Sequence, residues 1–139
     1  MDRKFKILKI DHIAVAVNNL NDSKSLFDLL GMSFGKSENV ENENVNVLKI
    51  HPESHNQTIE LLEATDQDSS VQTFLNKRGQ GLHHIALEVD DIYNAIEYLK
   101  SNNIKIIYDI PERGADNKLI TFIHPSSTPG ILIELCQMA

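Results

Sequence analysis

The chain lacks several features that define whole classes of protein. Its 139 residues include one cysteine, Cys136, which excludes an internal disulfide and any zinc site built from several cysteines. No apolar run approaches the roughly 18 residues that a membrane-crossing helix needs. Basic residues are also scarce, since 13 Lys and Arg stand against 20 Asp and Glu, a net charge of −7. This charge argues against a nucleic-acid partner and against a patch for an anionic membrane.

Several sequence motifs are missing as well. There is no Gly-rich phosphate loop, no nucleophile elbow and no defensible Ser-His-Asp arrangement. The first residues form a basic tip without an apolar stretch of signal-peptide length, so we expect a cytoplasmic protein. A content of 41% hydrophobic and 24% charged residues is typical of a globular protein. The length fits one domain.

What the chain does contain is an internal repeat. Residues 10–17, IDHIAVAV, resemble residues 82–89, LHHIALEV, and residues 59–62, IELL, resemble residues 133–136, IELC. His12 thus recurs as His84 and Glu60 as Glu134, at offsets of 72 (12 to 84) and 74 (60 to 134). Two halves of similar length therefore carry the same His and Glu at matching places.

Each half also shows the same order of elements. In the first half, alternation and helical spacing predict strands over 10–17, 32–36, 45–51 and 58–63, a helix whose apolar face is Leu20, Leu26, Phe27 and Leu30, and a solvated loop over 38–44. In the second half they predict strands over 82–89, 104–108, 119–124 and 131–136. They also predict a helix that starts at Asp90-Asp91, ends at Asn102-Asn103 and has the apolar face Ile92, Ala95, Ile96 and Leu99. We therefore expect an α+β fold in which two tandem βαβββ modules, about 6–66 and 80–137, are joined by a helix over about 69–78 in a single domain.

The repeated His and Glu suggest a metal site. If the modules pair their sheets about a pseudo-twofold axis, two imidazoles and two carboxylates converge, and this donor set suits Co²⁺, Ni²⁺, Zn²⁺ or Mn²⁺. A carboxylate on an apolar strand is costly unless it has a counter-ion. Alternatively, the histidines are hydrogen-bonded core residues and the glutamates point to solvent. The predicted ligands are His12, Glu60, His84 and Glu134, and small neighbours that would leave room for a substrate are Ala14, Ala16 and Ala86.

The remaining histidines and the cysteine are weaker candidates for the site. Strand alternation turns His83 away from the face of His84. The others, His51, His55 and His124, have no repeat partner and are interpreted as loop or strand-end residues. Cys136 shares a face with Glu134 but is better interpreted as a small buried side chain.

At these residues the chain resembles the vicinal-oxygen-chelate superfamily, which includes glyoxalase I, fosfomycin-resistance proteins and extradiol dioxygenases. Within it, the chain is most similar to the methylmalonyl-CoA epimerase family. The resemblance covers nearly the whole chain and rests on residues 10–17, 59–63, 74–79, 81–86, 88–92, 124–125 and 130–135.

The resemblance implies a homodimeric isomerase whose metal is held by His12, Glu60, His84 and Glu134, with Co²⁺ or another divalent ion as the cofactor. Family members carry Gln or Glu at the position of Glu60. The implied substrate is an acyl-CoA, since the reaction interconverts (R)- and (S)-methylmalonyl-CoA through a metal-stabilised enolate. Glu134 is the implied acid/base on one face.

The sequence departs from the family at the second acid/base. Some epimerases of the family carry a Glu in the strand that matches residues 44–49, and the resemblance places Val47 there, which cannot transfer a proton. Glu41 or Glu43 from the preceding loop, Glu60 or a metal-bound water would have to serve instead. Ser126 also stands where many relatives have Lys. Basic groups for the CoA are Lys77, Arg78, Arg113 and Lys118, each also explicable as a solvated charge.

Two other functions use the same scaffold. A glyoxalase I-type lactoylglutathione lyase would use the same four positions and the same proton-transfer logic. A non-enzymatic small-molecule-binding protein of this fold would usually lack a full set of ligands. An extradiol dioxygenase would need a two-His, one-carboxylate Fe(II) site with open positions, which a fourth ligand disfavours.

Overall fold

The computed structural model describes all 139 residues. They form eight strands and three α-helices: β1 (Ile7–Ala16), α1 (Leu20–Leu29), β2 (Ser33–Val40), β3 (Val45–His51), β4 (Thr58–Ala64), α2 (Ser70–Arg78), β5 (Gly81–Val89), α3 (Ile92–Ser101), β6 (Glu112–Arg113), β7 (Lys118–Ile123) and β8 (Leu132–Met138). The chain divides into two compact units. We call His12–His83 the central unit and Met1–Asp11 with His84–Ala139 the terminal unit. No helix has the length and apolar character needed to cross a membrane.

In the central unit the strands follow the order β2-β3-β4-β1. β4 pairs in parallel with β1, whereas β3 runs antiparallel to both β4 and β2. The inner face packs Leu48, Ile50 and Leu61 into a cluster with Val17. These apolar residues alternate with the residues on the opposite face, which carries His12 and Glu60.

Helix α1 begins after an asparagine cap and ends just before a glycine. The side chain of Asn19 accepts a hydrogen bond from Asp22 N, and the chain leaves the helix at Gly31 with φ of 78°, a conformation that favours glycine. The predicted apolar face is only half right. Leu20 and Phe27 pack on the core cluster, but Leu26 is 59% exposed and Leu30 64% exposed.

In the terminal unit the order is β5-β8-β7-β6, with β8 parallel to β5 and antiparallel to β7. Helix α3 begins after Asp91, whose side chain accepts from Asn94 N. Its face of Ile92, Ala95 and Ile96 is buried with Val89 and Leu135. This unit therefore repeats the strand and helix arrangement of the central unit.

The first eleven residues belong to the terminal unit. Lys6 N donates to Asp90 Oδ1 at 2.7 Å, and Asp90 N donates to Lys6 O at 3.2 Å. The ring of Phe5 meets that of Tyr98 edge-on, with centroids 5.9 Å apart. β1 thus belongs to the terminal unit up to Asp11 and to the central unit from His12 onward.

Two sequence predictions about strands and loops are wrong. Residues 104–108 form no strand, and only a single bridge joins Ile106 to Ile123. Thr121 Oγ1 accepts from Tyr108 N at 3.2 Å and donates to Tyr108 O at 2.8 Å. The backbone of Tyr108 is therefore bonded to a side chain instead of to the backbone of a neighbouring strand. Residues 38–44 are not a solvated loop, because β2 continues to the buried Val40 and a 3₁₀ turn follows.

The connecting helix lies where the sequence predicts it. α2 is capped by the side chain of Ser69, which accepts from Val71 N. Val71 and Leu75 are its buried residues. It ends at Gly79, which has φ of 74°.

Candidate metal centre

The first His–Glu pair lies within the central unit. His12 is on β1 and Glu60 on β4, and the parallel register sets Ala14 directly beside Glu60 and His12 beside Thr58. All four side chains therefore share one face of the sheet. His12 Nδ1 lies 3.4 Å from Glu60 Oε2, and each side chain is only 6% exposed.

The second pair repeats this geometry within the terminal unit. His84 is on β5 and Glu134 on the parallel β8, with Ala86 directly beside Glu134. His84 Nε2 lies 3.2 Å from Glu134 Oε1. The imidazole also meets the ring of Phe122 edge-on, with centroids 5.6 Å apart.

Both glutamates are buried, which excludes the alternative that they point to solvent. Each carboxylate has an imidazole as its neighbour, and an isolated buried carboxylate would be strongly destabilising. The alanines beside them, Ala14 and Ala86, are fully buried. Each pair thus holds one nitrogen and one oxygen donor close together inside the fold.

These donors fit a divalent ion chemically. Neutral imidazole nitrogen and carboxylate oxygen are the ligands of catalytic zinc and of related first-row ions. His12, His84 and Glu134 each offer one such ligand atom, and all three side chains are buried. The predicted residues therefore offer nitrogen and oxygen donors that can bind a cation.

The other histidines make different contacts. The ring of His83 meets Phe74 of α2, with centroids 5.1 Å apart, as expected for the face opposite His84. His51 Nδ1 lies 2.8 Å from the carbonyl oxygen of Pro52. His124 Nδ1 accepts from Ser126 N at 3.0 Å, in the turn after β7.

Cys136 is fully buried beside Ile120 on the antiparallel neighbour β7. Its burial raises the pKa of the thiol well above the ordinary value, and the negative charge of Asp11 raises it further. The thiol therefore stays protonated. Its interpretation as a small buried side chain is confirmed.

One buried ion pair was missed by sequence reasoning. Lys118 Nζ donates to both carboxylate oxygens of Asp11 at 2.8 Å, and the two side chains are 15% and 9% exposed. Lys118 is therefore not a solvated charge. Nothing in the sequence links two residues so far apart, so no local signal could have found the pair.

A second missed residue lies opposite Glu60. In the antiparallel pairing of β3 with β4, Lys49 faces Glu60 and Val47 faces Leu62. Lys49 and Val47 therefore share the face that carries His12 and Glu60. Val47 is buried.

The paired His and Glu on parallel strands, repeated in two βαβββ units, define a class of protein. Residues 11–122 match the model of the Glyoxalase/Bleomycin resistance protein/Dioxygenase superfamily, and the chain belongs to that superfamily. It is 38% identical to the Bacillus subtilis protein YqjC, over 93% of this chain and 91% of that one. It is 37% identical to the mitochondrial methylmalonyl-CoA epimerase of Dictyostelium discoideum, over 95% of this chain and 80% of that one.

A solved structure is similar to this chain over almost its whole length. A single-residue variant of the methylmalonyl-CoA epimerase of Streptomyces coelicolor, bound to 2-nitronate-propionyl-CoA, superposes with a TM-score of 0.90. It shares 29% identity, and the match covers 96% of each chain. Within the superfamily the chain belongs to the methylmalonyl-CoA epimerase family, and it is an enzyme of the epimerase class.

Proposed function

We propose that the protein is a metal-dependent epimerase that interconverts (R)- and (S)-methylmalonyl-CoA. The observation that carries the proposal is the pair of buried His–Glu contacts, which recur in the same register in both units of a chain from this family. The family's named relatives supply the substrate class, an acyl-CoA thioester.

The four ligands in this proposal are His12, Glu60, His84 and Glu134, and Co²⁺ is the proposed ion. A bound divalent ion would stabilise negative charge on the oxygen of a thioester enolate as a Lewis acid. The protein's part is to keep the two imidazoles and the two carboxylates out of water, as the burial of all four supports.

Glu134 is the proposed acid/base on one face of the substrate. Its carboxylate accepts the proton from C2, and the electrons of the C–H bond pass into the enolate. Such proton transfer contributes about 10²- to 10⁴-fold to a rate. The imidazole of His84 lies beside this carboxylate, with Nε2 3.2 Å from Oε1.

Neither alternative function has an observation in its favour. The family assignment rests on relatives named as epimerases over most of their length, which disfavours a lactoylglutathione lyase. Two complete His–Glu pairs disfavour a binding protein without catalytic residues.

Deuterium exchange tests the proposal. Metal-loaded protein is mixed with (R)- or (S)-methylmalonyl-CoA in D₂O, and NMR follows deuterium entry at C2 and the stereochemistry of the product. We expect exchange with inversion, lost after chelation. Well-folded, metal-loaded protein that gives no exchange would exclude the epimerase, and the hemithioacetal of methylglyoxal and glutathione would then be the next substrate.

The homodimer and the cytoplasmic location stay predictions of the sequence. Light scattering of the purified protein measures the former, since a dimer has twice the mass of the chain. Fractionation of the source cells measures the latter.

A further inference from the structure

The central unit carries a cation on the same sheet face as its His–Glu pair. Lys49 is the only Lys or Arg on β3 and β4, and it is directly opposite Glu60 in their antiparallel pairing. Directly opposed side chains share a face, with Cβ atoms about 4.5–5.5 Å apart. The side chain of Lys49 therefore lies on the face that carries His12 and Glu60, and not on the face that packs against α1.

This position is an unusual one for a lysine. β3 is an interior strand, with β2 on one side and β4 on the other, and Lys49 is half-buried there. Its neighbour two residues back on the same face, Val47, is buried. Because a charge that is partly removed from water is costly without an opposite charge, the lysine is best explained by the anions that it meets. Glu60 is one of them.

The edge strand is irregular at the same place. β2 and β3 pair Phe34 with Ile50 and Ser37 with Leu48. The two residues between Phe34 and Ser37, Gly35 and Lys36, therefore stand opposite Lys49 alone. Such a β-bulge, with two residues opposite one, is common beside active sites, where it changes the direction of a side chain.

Gly35 leaves room beside Lys49. A Cβ atom at Gly35 would lie 3.4 Å from the Cβ of Lys49, so a larger side chain there would pack along the lysine. The glycines with φ in the left-handed region are Gly31, Gly79 and Gly130, so the backbone at Gly35 does not itself require a glycine. A glycine within a strand often marks a place where a ligand approaches closely.

The repeat supplies a contrast. In the terminal unit the residue opposite Glu134 is Phe122. The ring of Tyr108 meets that of Phe122 edge-on, with centroids 6.0 Å apart. The position is therefore apolar and covered in the terminal unit, whereas in the central unit it is cationic and has a glycine beside it. Only the second arrangement suits an anion.

We propose that Lys49 is a specificity-determining residue that binds a free carboxylate on the acyl group of the substrate. The role rests on the proposed function and defines which thioesters the site selects, namely acyl-CoA compounds with a second, ionised carboxyl group. Glu60 lies on one side of Lys49 and the space beside Gly35 on the other. Since an ammonium has three N–H donors, it can donate to Glu60 and to the substrate carboxylate together.

Other groups on this face suit a carboxylate less well. Glu38, opposite Val47 on β2, is itself an acid. His51 Nδ1 lies 2.8 Å from the carbonyl oxygen of Pro52, and because that oxygen only accepts, Nδ1 carries the proton. In the neutral ring Nε2 is then an acceptor, which a carboxylate does not bind.

The phosphates of CoA are a second source of negative charge. They are separated from the thioester by the length of the pantetheine arm, whereas Lys49 is opposite Glu60, a proposed ligand at the reacting end. We therefore assign Lys49 to the acyl carboxylate. Malonyl-CoA and acetyl-CoA distinguish the two sources, because both carry the phosphates and only malonyl-CoA carries the carboxylate.

The test measures the Kd of each compound for metal-loaded protein by calorimetry. We expect the wild type to bind malonyl-CoA more tightly, and Lys49→Met to lower this preference by at least about 10-fold, the scale of one hydrogen bond to a charged group. Lys49→Arg should keep more of the preference than Lys49→Met. The control is Lys24→Met, which makes the same change of charge on α1 and should leave the preference unchanged.

A second variant changes the space and keeps the charge. Gly35→Leu places a side chain against Lys49, and we expect it to weaken malonyl-CoA by at least about 10-fold and to leave acetyl-CoA unchanged. The metal content of Lys49→Met and Gly35→Leu should match that of the wild type, because neither residue is a proposed ligand.

The contrary results are distinct from one another. A Lys49→Met variant that keeps the preference for malonyl-CoA would overturn the assignment. Equal weakening of both compounds would point to the phosphates, and a matching loss of metal would show that Lys49 serves Glu60 alone, so either would also overturn it. A wild type that prefers malonyl-CoA but inverts neither epimer of methylmalonyl-CoA would overturn the proposed function and leave the carboxylate site in place.

Discussion

The two units repeat one His–Glu pair but surround it differently. The residue opposite Glu60 across the antiparallel partner strand is Lys49, whereas the residue opposite Glu134 is Phe122. One carboxylate thus has a cation as its cross-strand neighbour and the other has an aromatic ring. The duplicated strands have thus kept the His and the Glu, whereas the strand next to each carboxylate has diverged.

The helices of the two units also differ, in how deeply they are buried. α3 buries Ile92, Ala95 and Ile96, whereas no residue of α1 is fully buried. The edge strands show the reverse, since β2 spans Ser33–Val40 and β6 only Glu112–Arg113. The strands that carry the His–Glu pairs have kept their equivalence, and the elements outside them have diverged.

The strongest test of this comparison exchanges each glutamate for glutamine. We expect Glu134→Gln to lower epimerisation by about 10³-fold, since acid–base catalysis contributes about 10²–10⁴, and Glu60→Gln to lower it by less than about 10-fold, because an amide oxygen remains a ligand. Steady-state rates with saturating metal measure both. Equal losses would show that the two pairs have the same role.

The helices offer a comparison in stability. Ile92→Ala in α3 should lower the free energy of unfolding by about 2–5 kcal/mol, because it leaves a cavity at a fully buried site. Leu29→Ala in α1, where the side chain is 84% exposed, should change it by no more than about 0.5 kcal/mol. Urea unfolding measures both, and a similar cost at Leu29 would mean that another surface covers α1.

Metal removal tests whether the two pairs act together. At a free ion concentration about 100 times the Kd, binding should stabilise the folded protein by about 2.7 kcal/mol, which chelation removes. Hydrogen exchange should then quicken both in β1 and β4 and in β5 and β8. Loss of protection in one unit alone would contradict a shared ion.

The smallest effect concerns the helix caps. Asn19→Ala and Asp91→Ala should each cost about 1 kcal/mol of stability. We expect the larger loss at Asp91, because its carboxylate also accepts from Asn94 Nδ2 at 2.7 Å. Thermal unfolding of the two variants ranks them, and a greater cost at Asn19 would contradict this expectation.

Sequence periodicity predicted the parts of the fold that repeat. Alternation around His12 and His84 predicted β1 and β5, and the repeated segments 59–62 and 133–136 predicted β4 and β8. Each of these patterns is contained in a few consecutive residues. Leu26 and Leu30 were assigned to the buried face of α1 although both are exposed. The helical spacing of apolar residues does not show whether another element packs against that part of the helix.

Features that depend on the register between strands could not be predicted from the sequence. The position of Glu38 opposite Val47 follows from an irregularity in the β2–β3 pairing between Phe34 and Ser37, and a shift of one residue would have turned it to the other face. Asp11 and Lys118 come together only through the fold.

The membership of Met1–Asp11 in the terminal unit has a consequence for cutting the chain. The repeat suggests a division near residue 80, yet a fragment that starts there lacks the partners of Asp90 and Tyr98 and the carboxylate that holds Lys118. Each half made alone should therefore fold poorly, and the second half should regain structure when a peptide of the first eleven residues is added. The duplicated sequence unit and the folding unit are not the same stretch of chain.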